Sequence, residues 1–180
     1  MRAMRRSRIL LSLLSALALA TTAVLLTTGG SSAAPTKSQE LFKKTLLEDE
    51  KTKTAIKDLL SAGGGIVAPD ITFADLTGDG RSDAIVVVDT RGVAGAVALY
   101  VFSTDGAAED SDLRAVYRSQ RLYRASAKVS DATLIVRTPR FVEGDDVCCP
   151  AKVVRRVYAW SPGAKTLRQR DSEERQGPTS

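Results

Sequence analysis

The most specific local chemistry in the chain lies in nine residues, Asp75-Leu76-Thr77-Gly78-Asp79-Gly80-Arg81-Ser82-Asp83. Side-chain oxygens at Asp75, Thr77, Asp79 and Asp83 alternate along the chain, and Gly78 and Gly80 permit a tight path. With the Arg81 carbonyl, such a set would hold a hard cation, and Ca2+ is the cofactor it suggests. The twelfth position is Val86 where an EF-hand needs Glu, so that motif is excluded. The same residues also read as a hairpin turn whose carboxylates accept backbone N–H groups and need no ion. The chain has no His, which removes the commonest general base and zinc ligand. A hydrolase here would have to work with carboxylates alone, Asp75, Asp79 or Asp83 acting as acid and base on a cell-wall polymer.

The nine-residue stretch resembles the calcium loops of extracellular β-repeat proteins of the FG-GAP and VCBS kind, which place an Asp where this chain has Thr77. The resemblance implies a metal set of Asp75, Thr77, Asp79, Arg81 and Asp83. A second feature is Cys148-Cys149, followed by Pro150. In an oxidising compartment these two thiols pair with each other or with another molecule. Adjacent Cα atoms lie about 3.8 Å apart, less than the usual disulfide span of roughly 4.4 to 6.8 Å, so a bridge between neighbours must distort its peptide. Two roles are open to it, a reducible switch and a permanent rigid loop tip.

The compartment is read from the N-terminus. A cationic start with Arg2, Arg5, Arg6 and Arg8 precedes an uncharged apolar run from Ile9 to Leu26 and the small residues Gly29 to Ala34. That order predicts a secretory signal over residues 1–33, cut before Ala34, and an extracytoplasmic product. No cysteine precedes Cys148, so no lipid anchor is expected. The formal charge of +5 comes mainly from this leader: of 26 basic residues four lie in it, leaving 22 against 21 acidic. A nearly neutral remainder has no net attraction for phosphate backbones, and nucleic acid is not an expected partner.

The elements that must position these groups fall into two regions. Phe42 and Leu46, then Ile56, Leu59 and Leu60, recur at helical spacing. They predict two short helices, the second capped by Asp49 and stopped by Gly63-Gly64-Gly65. From Asp70 onward, β-branched runs between turn residues predict strands near 70–74, 84–89, 96–103, 114–118, 122–129, 133–138 and 152–160, with a further short one at 166–169. The expectation is a single α+β domain over residues 34–169, with one or two N-terminal helices packed on an antiparallel meander of about seven strands. A polar, disordered tail is expected over residues 170–180. Tyr123, Ala125, Ala127 and Val129 should share one strand face. Arg118, Arg121, Arg124 and Lys128 read as a solvated face, and Tyr158 and Trp160 as packing residues.

The order of phrases across residues 50–160 resembles the CseA family of actinobacterial envelope-stress regulatory lipoproteins. Those phrases are Thr52 to Lys57, Asp75-Leu76-Thr77-Gly78, Val86 to Thr90, Gly95 to Phe102, Gly144-Asp145 and Tyr158-Ala159-Trp160. The resemblance implies an extracytoplasmic regulator without catalytic activity, acting on an envelope protein or wall component. The missing leader cysteine and the added Cys-Cys-Pro turn depart from that family. A monomeric secreted binding or regulatory module is the expectation.

Overall fold

The computed structural model describes residues 35–103 and 113–177. The expected leader, residues 1–33, lies outside them. Helix α1 (Lys37–Glu48) starts in a reciprocal cap: the Gln39 N–H donates to Thr36 Oγ1 (3.2 Å) and the Thr36 N–H to Gln39 Oε1 (2.8 Å). Gln39 is buried, and its amide nitrogen donates to the Val67 carbonyl at 2.6 Å. Asp49 does not cap the second helix as the sequence suggests. It closes α1, and its carboxylate accepts from the Lys51 N–H (3.1 Å) and Thr52 Oγ1 (3.3 Å), turning the chain. Helix α2 (Thr54–Ser61) has no side-chain cap of its own; the Lys53 N–H donates instead to Gln120 Oε1 at 2.6 Å. It ends as the glycine run predicts, with Gly63 at φ +74 and the Gly65 N–H on the Leu59 carbonyl at 3.0 Å.

The α+β class holds, but the described residues form nine strands in two antiparallel sheets, not one meander of about seven. In the first sheet β1 (Ile66–Val67) and β2 (Thr72–Ala74) share one edge of β3 (Asp83–Asp89), which pairs with β4 (Ala96–Ser103), itself paired with β5 (Arg114–Ser119). The second runs β6 (Ser126–Ser130), β7 (Thr133–Arg140), β8 (Lys152–Ser161), β9 (Thr166–Gln176). The division falls where Arg124 takes φ +47, a conformation that interrupts an extended run. Residues 122–125 lean on the start of β4 through Leu122 N–H to Val97 O (2.9 Å) and Arg124 N–H to Ala94 O (2.8 Å). The expected strand over 122–129 therefore begins only at Ser126. Leu122, not Tyr123, joins the interior with Ala127 and Val129.

The expected tail is also corrected. Arg170 to Gln176 continue β9 against β8, in register from Arg156 and Ser172 to Lys152 and Gln176. Charge alternation holds this polar ribbon: Lys152 meets Glu174 at 2.7 Å, Arg155 meets Asp171 at 3.5 Å, and Arg140 also pairs with Glu174. A strand made of charged residues suits a sheet edge, where apolar residues would invite another chain.

Strands β3 and β4 are buried on both faces. Ala84, Val86, Val88, Ala98, Tyr100 and Phe102 pack with Phe42, Leu46, Ile56 and Leu60 of the helices. Ile85, Leu99 and Val101 face the other way and meet Val116, Leu134, Val136 and Leu167. The order of layers is therefore helices, first sheet, second sheet. Polar clasps fix the first boundary. Arg118 meets Asp49 at 3.1 Å, and Gln120 accepts from the Tyr100 hydroxyl (3.1 Å) while donating to the Lys51 carbonyl (2.9 Å). Burial pushes the Tyr100 hydroxyl up to about 12, so it stays a donor at every physiological pH. For Asp49, burial opposes ionisation, yet the Lys51 N–H and the Arg118 guanidinium outweigh it and hold the carboxyl below 3.8.

A group with a depressed native pKa stabilises fully above its unfolded value and loses that contribution as pH falls through the native one. Asp49→Asn should therefore lower stability at pH 7 by about 1–3 kcal/mol, because the Arg118 charge loses its partner. The gap between variant and parent in chemical denaturation should close progressively below pH 3.8. A gap that is the same at pH 7 and pH 2 would remove the ion pair from this role.

Candidate functional site

Asp75, Thr77, Asp79 and Arg81 of the suggested cation set lie in the β2–β3 connection and Asp83 opens β3, and the three carboxylates are engaged by backbone. Asp75 accepts from the Gly78 N–H (2.6 Å) on one oxygen and the Gly80 N–H (3.0 Å) on the other. Asp79 accepts from the Arg81 N–H at 2.8 Å. Asp83 is only 1% exposed; its Oδ2 accepts from the Leu76 (2.7 Å) and Thr77 (2.9 Å) N–H groups, and its Oδ1 faces Thr77 Oγ1 at 3.4 Å. Gly78 (φ +76) and Gly80 (φ +83) supply the left-handed turns this path requires. Among the described residues no three His, Cys, Asp or Glu side chains are placed to hold a metal ion. In this arrangement the three carboxylates serve as acceptors for the backbone N–H groups of their own turn. The arrangement gives Asp83 no open side for acid or base work, and it gives Asp75 and Asp79 a capping role.

The second sequence feature gathers more. Cys148 and Cys149 pair with each other at adjacent positions, their Cα atoms 3.8 Å apart. The bridge sits in the β7–β8 connection, where Asp145 caps both ends of the loop: one carboxylate oxygen accepts from the Val142 N–H and the Ala151 N–H, each at 2.9 Å. Those two bonds hold the Asp145 carboxyl below its usual range. Gly144 at φ +92 makes the turn between them.

Arg124 draws two further connections to this loop. Its N–H donates to the Ala94 carbonyl in the β3–β4 turn, and its guanidinium donates to the Val147 carbonyl. Gly95 lies against Arg124 so closely that a Cβ there would stand 3.4 Å from the Arg124 Cα. The rings of Tyr123 and Phe141 meet edge to face, with centroids 5.7 Å apart. Three connections thus converge, and each presents apolar side chains to solvent: Val93 (74% exposed), Tyr123 (40%), Val142 (46%) and Val147 (56%). Sequence reasoning passed over Val93 and Val142, although a valine inside a Gly/Arg or Gly/Glu turn, as in Arg91-Gly92-Val93 and Val142-Glu143-Gly144, is the signal that marks them.

The remaining candidates have structural work. Arg118 pairs with Asp49 and leaves the solvated series, while Arg121, Arg124 and Lys128 are exposed, Arg124 also bonding to the converging loops. Tyr158 packs at 4.8 Å on Tyr117, and both Tyr158 and Trp160 pack against the core between the sheets and not on a sugar-binding platform. Among the described residues no helix is long and apolar enough to cross a membrane. Comparison of the chain with protein-family models, with curated proteins and with solved structures finds no match.

The hairpin account of the aspartate loop makes its own forecast. Asp83→Asn should destabilise the protein by about 1–3 kcal/mol, because the buried N–H groups of Leu76 and Thr77 lose a charged acceptor. Millimolar Ca2+ should leave the melting temperature of the parent unmoved. A calcium-dependent rise abolished by Asp75→Ala would restore the cation site.

Proposed function

We propose that this chain is a secreted, non-catalytic binding module of the bacterial cell envelope that contacts a protein partner through the converging loops around Cys148-Cys149 and serves envelope-stress regulation. The observation that carries the reading is the exposure of Val93, Tyr123, Val142 and Val147 on three connections fastened to one another. Exposed apolar side chains on loops held rigid by a disulfide and by carboxylate caps lose little entropy on binding, the property a recognition surface needs. The bridge acts here as a stiffener of the loop tip. The leader sequence supports delivery to the envelope, and the phrase order shared with the CseA family supports a regulatory role there. No cofactor enters this reading.

Two substitutions test it. Val93→Asp and Val147→Asp alter exposed side chains and should change stability by no more than about 0.5 kcal/mol. Each should weaken binding to the partner recovered from the envelope fraction by about tenfold or more. Undiminished binding by both variants would contradict the proposal. So would turnover of wall polymer by the purified protein that disappears in Asp79→Ala, which would instead support a carboxylate hydrolase.

A further inference from the structure

The Cys148–Cys149 bridge does little for the stability of the fold as a whole. A disulfide stabilises chiefly by closing a loop in the unfolded chain, and the gain grows with the number of residues enclosed. A bridge between neighbours encloses the fewest, and the ends of its connection are fastened without it. The Asp145 carboxylate accepts from the Val142 and Ala151 N–H groups, each at 2.9 Å, and the Ala151 carbonyl accepts from the Gly177 N–H at 2.7 Å. What the bridge fixes is the tip, Asp146 to Cys149, where the Cys149 N–H donates to the Asp146 carbonyl at 3.0 Å.

Two observations make this tip responsive to the state of its sulfurs. Cys148 is exposed, as are Asp146 and Val147 before it, so a thiolate can approach from solvent. The Cα atoms of the pair stand 3.8 Å apart, below the span of roughly 4.4 to 6.8 Å that a disulfide prefers, and a bridge off that span is the more readily reduced. The residue before Cys148 carries the effect outward. Its carbonyl, that of Val147, accepts from the Arg124 guanidinium, and its side chain is 56% exposed. A change at the bridge therefore reaches an apolar group of the recognition surface, together with the clasp that ties the loop through Arg124 to the β3–β4 turn.

Resting on the recognition surface proposed above, we infer that Cys148–Cys149 is a site of reversible reduction that regulates that surface, rigid and competent to bind when bridged, loosened when reduced. The reductant is a dithiol. One of its sulfurs, as thiolate, attacks a sulfur of the bridge, forming a mixed disulfide and breaking the Cys148–Cys149 bond, and the released thiolate takes up a proton. The second sulfur of the dithiol then displaces the remaining protein sulfur, which is protonated in turn. Two electrons and two protons pass to the protein, leaving two thiols and an oxidised dithiol. Opening the ring frees torsions at Cys148 and Cys149, so ordering the tip against a partner then costs entropy that the bridged tip has already lost.

The full chain should be treated with dithiothreitol under native conditions, quenched with iodoacetamide and weighed intact, beside a sample never reduced. Neither cysteine should be alkylated without the dithiol and both should be with it, while the melting temperature stays almost unchanged. Amides of Val147, Cys148 and Cys149 should exchange about tenfold faster after reduction, and those of Leu134 to Val136 at their former rate. The double variant Cys148→Ser, Cys149→Ser should behave as the reduced protein and be indifferent to dithiothreitol, with binding to the envelope-fraction partner about tenfold weaker than the parent's. Alkylation without reductant, a bridge that resists the dithiol until denaturant is added, tip exchange unmoved by reduction, or a melting temperature that collapses with it would each overturn the inference. Full binding by the double variant, with Val93→Asp and Val147→Asp impaired, overturns the regulation and leaves the surface standing. Undiminished binding by those two variants instead removes the surface, whatever the exchange at the tip shows.

Discussion

Everything in this molecule follows from a hairpin with no wet face. Strands β3 and β4 place Val86, Val88, Tyr100 and Phe102 on one side and Ile85, Leu99 and Val101 on the other, and all of these are buried. Such a hairpin is insoluble alone, because either uncovered face would expose a continuous apolar surface. Two covers are therefore obligatory. The helices supply one through Phe42, Leu46, Ile56 and Leu60, and the second sheet supplies the other through Leu134, Val136 and Leu167. The Phe42 and Phe102 rings, 5.3 Å apart, mark the first seam.

With both faces of the central sheet occupied, chemistry is left to its edges and connections. The two ends of the β3–β4 pair differ in character. At the β2–β3 connection the carboxylates of Asp75, Asp79 and Asp83 turn inward on backbone N–H groups, so the loop is closed upon itself. The Thr90–Gly95 connection instead leans on Arg124, which reaches the disulfide loop, and leaves apolar side chains outside. A self-satisfied polar loop has little to offer a partner, whereas exposed apolar groups on a stiff loop have much. At the β5–β9 junction the Thr166 hydroxyl bonds the Val116 carbonyl and joins the two sheets.

Several of these features can be read directly from residue order. The two helices and their glycine stop follow from spacing at Phe42, Leu46, Ile56 and Leu60 and from Gly63 to Gly65, because helix periodicity is a local property. The strands β3 and β4 follow from uninterrupted β-branched and aromatic runs. What was hidden depended on distant partners. Asp49 as an N-cap was reasonable locally, but Arg118, 69 positions away, claims its carboxylate. The charged run from Arg170 to Gln176 looked unfoldable because its stabilising groups, Arg140, Lys152 and Arg155, lie on other strands. The split into two sheets turned on the backbone of Arg124, a residue type that gives no local warning of a left-handed conformation. The disulfide was legible as a pairing, while the loops it braces were not, since their convergence is a product of the fold.

Native-state hydrogen exchange resolved by residue tests the two-cover arrangement most directly. Amides of Ile85 to Val88 and Leu99 to Phe102 should exchange only through global unfolding, with an opening free energy equal to that from chemical denaturation. The Leu60→Ala variant, which leaves a void beneath one cover, should lower that protection in parallel with the overall stability. Exchange of these strands through a cheaper opening, unaffected by Leu60→Ala, would contradict the claim that one hairpin holds both layers together.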